Sequence, residues 1–188
     1  MKAIRTVWLA LFVFALVGFT TACQRHDENG VQAARENNAM TEQDRDVAMK
    51  IEQSHLGEID LARLAKEQAS SRDVKSYADM IEDDHTGALK DLQKLMNKSG
   101  VNESTQSKPV EGQEKLAMLQ KMSGAEFDRE FMNTMVSDHQ KTLDDLRSAV
   151  TTVQNSDLKG YINDLTAKVQ KHLEKGQDLV TKMTSQGR

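Results

Sequence analysis

The chain has 188 residues, enough for one domain with a real hydrophobic core. Aromatic residues make up 4% and there is one proline, a composition that favours helices and argues against a β-sandwich. Charged residues make up 29% and sum to a formal net charge of -4, which suits a solvated helical surface and gives no basis for a nucleic-acid partner.

The amino terminus reads as a targeting segment. Lys2 and Arg5 form a positive head, residues 7–17 are almost wholly apolar, and Gly18-Phe19-Thr20-Thr21-Ala22-Cys23 follows. These are the three parts of a secretory signal over residues 1–22, with an apolar run too short for a membrane span of about 20 residues. Its ending resembles the bacterial lipobox: Thr21-Ala22 precede Cys23, with Thr20 standing where that pattern usually has Leu. The resemblance implies acylation of Cys23, a membrane anchor through that lipid and, with Gln24 next, an outer-membrane lipoprotein facing the periplasm. Cleavage after Ala22 would instead leave a soluble periplasmic protein, and an uncleaved anchor is the third possibility. As the sole cysteine, Cys23 excludes an intrachain disulfide framework and a thiolate zinc site. Residues 23–40 are polar and without periodicity, so they are expected to form a flexible tether, with His26 a solvated residue within it.

From residue 41 onward the pattern is helical. The first helix is expected from Thr41 to Ala69, with Thr41 and Asp44 as a capping box. Its inward stripe reads Val47, Ile51, Glu58, Ala62, Ala65, with His55 nearer the edge and Leu56 and Leu64 pointing elsewhere. The second starts at a Ser70-Ser71 turn, is capped by Ser71 and runs to Lys98. Its stripe is Val74, Ala78, Ile81, His85, Leu89, Leu92, Met96, with Glu82 and Asp84 on either side of His85.

Residues 99–122 hold Gly100, Asn102, Pro109 and Gly112, with a possible helical turn at Glu114–Leu119. A connection of this length is far above the 2–8 residues usual in bundles, and it is read as a crossover along the bundle. The third helix is expected to open at Ser123 with a Ser123–Glu126 capping box, and its stripe is Phe131, Met135, His139, Leu143, Leu146, Val150. The fourth runs from Ser156 to about Met183, with Leu158, Ile162, Leu165, Val169, His172, Leu179 and Met183 inward. The methionines are read as core filling.

The second and third helices echo one another. Aligning His85 with His139 also matches Tyr77 to Phe131, Ile81 to Met135, Asp84 to Asp138 and Leu89 to Leu143. Short turns make the outer pairs antiparallel, and the crossover makes the second and third helices parallel. They then occupy opposite corners of one bundle over residues 41–186, and Glu58, His85, His139 and His172 fall in one layer at mid-depth.

Such buried polar groups need partners. One reading is a single transition metal, zinc, iron, manganese, copper or nickel, held by Glu58, His85, His139 and His172, with Asp84, Asp138, His55 and Glu82 orienting the ligands. The other is a hydrogen-bonded His and carboxylate layer that only fixes helix register in a structural or interaction module. No nucleophile motif, P-loop or dinucleotide fingerprint is present, and no catalytic residue is assigned.

Several stretches resemble a bacterial domain-of-unknown-function family of predicted ferritin-like outer-membrane or periplasmic proteins. They are Gly57-Glu58 with Leu61-Ala62, Met80-Ile81-Glu82-Asp83-Asp84-His85, Phe127-Asp128-Arg129-Glu130-Phe131-Met132, Asp138-His139 and His172-Leu173-Glu174. The resemblance covers residues 41–183 and implies an all-α, ferritin-like four-helix bundle without an established activity. Di-iron ferritins take a Glu from each of two helices and a Glu-x-x-His from each of the other two. Here Glu82 and His85 match one such pair, but Val169 stands where the second Glu belongs and His139 replaces another. Those positions lack the carboxylates for a bridged di-iron centre, and a mononuclear site, serving metal handling or envelope stress protection, is easier to build.

Overall fold

In a computed structural model the described residues are 39–101 and 110–186, so the signal segment, Cys23, His26 and most of the tether lie outside them. The described chain forms α1 (Glu42–Gln68), α2 (Arg72–Lys98), a short α3 (Val110–Leu119), α4 (Gly124–Thr152) and α5 (Ser156–Gln186). The four long helices make the predicted bundle with its long crossover between the second and third. Met40, at the end of the predicted tether, is already buried in the core.

Residue pairs across the helices fix their directions. Glu52 meets Gln93 and Arg63 meets Glu82, so α1 and α2 are antiparallel. Tyr77 reaches the backbone of His172 and Lys98 pairs with Asp157, so α2 and α5 are antiparallel too. Asp44 bonds to Gln154 and Asp128 to Ser70, which sets α1 against α4. It follows that α2 and α4 run parallel. Each packs on α1 and α5, which places them at diagonal corners. The echoed residues meet across that diagonal: the Tyr77 and Phe131 rings lie 6.4 Å apart, and Ile81 and Met135 share one apolar cluster.

Two carboxylates staple the hairpins to one another at opposite ends. Asp44 accepts from the backbone and hydroxyl of Thr41 (both 2.9 Å), closing the predicted capping box, and also from the backbone of Gln154 at 2.8 Å. Asp128 of α4 accepts from the backbone of Ser70 and Ser71 (both 2.9 Å) and from the Ser70 hydroxyl. Each thus satisfies orphan amides that a buried loop would otherwise leave unpaired. The Ser71 cap forms as predicted. The Ser123–Glu126 box does not: Ser123 makes no side-chain cap bond, and Gly124 enters the helix at φ +60°, which turns the first amides away from the Ser123 hydroxyl.

The core divides in two along the bundle. One half gathers Tyr77, Ile81, Phe127, Phe131 and Met135, with Leu119 of α3; Leu64, expected to face outward, is buried with them. The other gathers Leu92, Met96, Leu143, Leu146, Leu158 and Ile162. Gly176 permits a close helix approach, where a Cβ would meet Val136 Cγ2 at 3.1 Å and the Tyr77 hydroxyl at 3.2 Å. Between the two halves lies a layer of polar side chains. No helix among the described residues is long and apolar enough to cross a membrane.

Candidate metal centre

Each of the four helices supplies one residue to that layer from near its middle: Glu58 from α1, His85 from α2, His139 from α4 and His172 from α5. All are 5% exposed or less. One oxygen of Glu58, Oε2, lies 3.3 Å from His85 Nε2 and 3.2 Å from His139 Nε2. The imidazoles of His85, His139 and His172 each offer a nitrogen, all within 4.8 Å of one another. Yet Glu58 Oε2, His85 Nε2, His139 Nε2 and His172 Nδ1 are all buried without a properly aligned hydrogen-bond partner. Four polar atoms face one another and none completes the others.

The far side of each ring explains why. His139 Nδ1 is 2.7 Å from the carbonyl of Met135, one turn earlier on the same helix. A carbonyl only accepts, so Nδ1 carries a proton and Nε2 is the nitrogen turned inward. His172 Nε2 is 2.9 Å from Asp84 Oδ2, so its bare Nδ1 faces the centre. His85 Nδ1 lies 3.0 Å from His55 Nδ1, and His55 Nε2 lies 2.6 Å from the Tyr161 hydroxyl, which donates to the carbonyl of Ala88 at 3.2 Å. With Tyr161 donating outward, His55 donates to Tyr161 and His85 donates to His55. His85 Nε2 is then bare as well.

Electrostatics agree. Burial depresses the His85 imidazole, against the opposing pull of Glu58. Burial likewise brings His55 to about 3 and His172 to about 4, the latter in spite of its bond to Asp84. Burial pushes the Glu58 carboxyl up, but the neighbouring His85 and His139 outweigh it and hold it below its usual value. Glu58 Oε2 thus lies against two inward-facing imidazole nitrogens, with the Ser54 hydroxyl 3.3 Å from Oε1. An uncompensated buried carboxylate costs several kcal/mol. A cation among the three imidazole nitrogens would satisfy them, with Glu58 Oε2 beside two of them to balance its charge. A tetrahedral ion with ligands at about 2.0 Å has ligand–ligand edges of about 3.3 Å; the two Glu58–imidazole distances equal that edge, and the imidazole nitrogens lie within 4.8 Å of one another.

The expected outer partners divide. Asp84 holds His172 as described. His55, expected near the edge, is 1% exposed and hydrogen-bonded to His85. Asp138 pairs with Lys115 of α3 at 2.6 Å, and the Met135 carbonyl serves His139 in its place. Glu82 faces outward to Arg63 and Lys66 at 2.7 and 2.8 Å, on the surface of the α1–α2 hairpin. Tyr161 was not visible from spacing, since a half-buried tyrosine one residue from the stripe carries no signal of its own.

The seam between α1 and α4 opens toward the layer. Two adjoining cavities, of about 670 and 510 Å³, share Lys50, Ser54, Lys141, Thr142 and Asp145 in their described walls; the first reaches Glu58 and the second His55 and His85. Gly57 lines the first, and a Cβ there would meet nothing within 4 Å.

Fold and site together define a class, a long-crossover four-helix bundle with three histidines and a glutamate converging in its core. The chain belongs to the family described as Domain of unknown function (DUF4142), whose profile matches residues 29–179. Its fold is similar to that of a DUF305 fragment from Deinococcus radiodurans, with a TM-score of 0.69 at 14% identity, covering 77% of this chain and 99% of that one. It is also similar to CopM in the Cu(II)-bound form, with a TM-score of 0.60 at 18% identity, covering 74% of this chain and 97% of that one. At such identities the likeness is one of fold. No curated protein matches the sequence.

Proposed function

We propose that the bundle binds one transition-metal ion through His85 Nε2, His139 Nε2, His172 Nδ1 and Glu58 Oε2, and serves metal handling or stress protection in the cell envelope. The observation that carries this reading is the set of four orphaned, inward-facing acceptor atoms, each on a side chain held from elsewhere. Buried polar atoms are normally paired, and unpaired ones that converge call for a partner they can share. Three imidazoles and one carboxylate suit zinc, copper, iron, nickel or manganese. The nitrogen and oxygen donors make zinc the first ion to try, and CopM, described with Cu(II), makes copper the second. The seam between α1 and α4 supplies the route by which the ion enters and leaves. The envelope location rests on the signal-like residues 1–22 and Cys23, where acylation would tether the bundle to a membrane.

The test is elemental analysis of protein purified without a His tag, before and after dialysis against each of the five ions. One equivalent of metal per chain is expected, lost when His85→Ala and His139→Ala are combined in a variant whose helical circular dichroism is retained. Metal-free protein with a melting temperature unmoved by all five ions would leave the register-fixing layer as the function of these residues.

A further inference from the structure

The three imidazoles are not held alike. His139 rests on a backbone carbonyl and His172 on a carboxylate, and neither partner can give a proton back. Their tautomers are locked. His85 rests on another imidazole, and His55 can either accept from it or donate to it. The chain Ala88 carbonyl, Tyr161 hydroxyl, His55, His85 therefore has two complete proton orders. In the outward order each member donates away from the centre, Tyr161 gives its proton to Ala88, and His85 Nε2 is bare. In the inward order Tyr161 donates to His55 Nε2, His55 Nδ1 donates to His85 Nδ1, and His85 carries its proton on Nε2, where it blocks a metal and faces Glu58.

We propose that His55 and Tyr161 are positioning residues that set the tautomer of His85, and with it the affinity of the centre for metal. The inference rests on the metal reading above. His55 is committed to the chain: it is 1% exposed and both its ring nitrogens are used within it. The Tyr161 hydroxyl is the last member that can change its bond, since the Ala88 carbonyl only accepts. Removing that hydroxyl leaves the outward order with a buried His55 N–H and no acceptor, whereas the inward order loses only a donor to a ring nitrogen. Orphaned buried N–H groups are the rarer and costlier kind. Tyr161→Phe thus tips the chain inward and puts a proton where the ligand lone pair should be.

The experiment uses the full bundle, in metal-free form and loaded with zinc. Competition titration gives the zinc affinity, and long-range proton–nitrogen correlation spectra show which ring nitrogen of each histidine carries hydrogen. In the parent, zinc loading is expected to place the His55 proton on Nε2 and the His85 proton on Nδ1. Tyr161→Phe is expected to weaken zinc by about ten- to a hundredfold, the usual cost of losing an outer partner of a metal ligand, and to move the His55 proton to Nδ1 in the metal-free protein. His55→Asn, whose amide oxygen can stand where Nδ1 stood, should recover most of the affinity that His55→Leu loses. Unchanged zinc affinity in Tyr161→Phe overturns the proposal, as does weaker binding with the His55 tautomer unmoved. A parent protein that takes up no zinc or other transition metal overturns the metal reading itself, and this inference with it.

Discussion

Asp84-His85 on α2 and Asp138-His139 on α4 are the same dipeptide at the same depth of two parallel helices, yet the bundle uses them differently. Asp84 crosses to α5 and fixes His172, while Asp138 turns to Lys115 on the crossover helix. His85 leans on a second imidazole and His139 on its own helix backbone. The histidines converge because the helical repeat puts both on the core face. The aspartates diverge because each sits a quarter-turn away, where the neighbour is set by what packs outside. An internal repeat in sequence therefore predicts a shared layer, but not a shared set of supporting partners.

The comparison can be broken at several points. The largest effect is expected at the ligands: His139→Ala should abolish stoichiometric metal binding in equilibrium dialysis, as should His85→Ala. Next comes the contrast between the aspartates. Asp84→Ala removes the acceptor that fixes His172 and should weaken metal by about ten- to a hundredfold, whereas Asp138→Ala should leave the dissociation constant unchanged. Equal losses for both would show that the two pairs act alike after all.

The hairpin staples sharpen the same comparison at the bundle ends. Asp128→Ala strands two backbone amides and should cost about 2–4 kcal/mol in urea unfolding, with Asp44→Ala close behind. Burial raises the Asp44 carboxyl, but the amides of Gln154 and Thr41 outweigh it and hold it below its ordinary 3.8. A lowered folded pKa gives stability that is full above the unfolded value and fades as pH falls through the folded one. The deficit of Asp44→Ala relative to the parent should therefore be constant near neutrality and shrink below pH 3.8. The smallest effect on stability is expected at Gly57. Gly57→Leu replaces a mid-helix glycine beside open space, so it should raise stability by up to about 1 kcal/mol. Its side chain would occupy the seam, so metal release to a chelator should slow while the affinity holds.

Much of this architecture was legible in the sequence. Apolar spacing placed the four long helices, and the Thr41 and Ser71 caps located two of their starts. The length of residues 99–122 set the crossover, and its helical turn grew into the ten residues of α3. The meeting of Glu58, His85, His139 and His172 followed from angle and depth alone. What spacing could not give was the identity of neighbours across the seams. His55 lies about 60° from Glu58 around α1, an edge position until α2 and α5 close over it. Tyr161, Asp128 and the second bond of Asp44 belong to contacts between segments tens of residues apart, which a helical period does not encode. Gly124 defeated the expected Ser123 cap because a positive φ at the first helical position overrides the side-chain preference.

The central claim is that one ion sits where four side chains of four helices meet. Anomalous diffraction from crystals of the bundle grown with zinc tests it most directly. A single strong peak per chain is expected, about 2.0–2.2 Å from Glu58 Oε2, His85 Nε2, His139 Nε2 and His172 Nδ1. Ordered side chains with no peak among them, or a peak only at surface carboxylates, would contradict it.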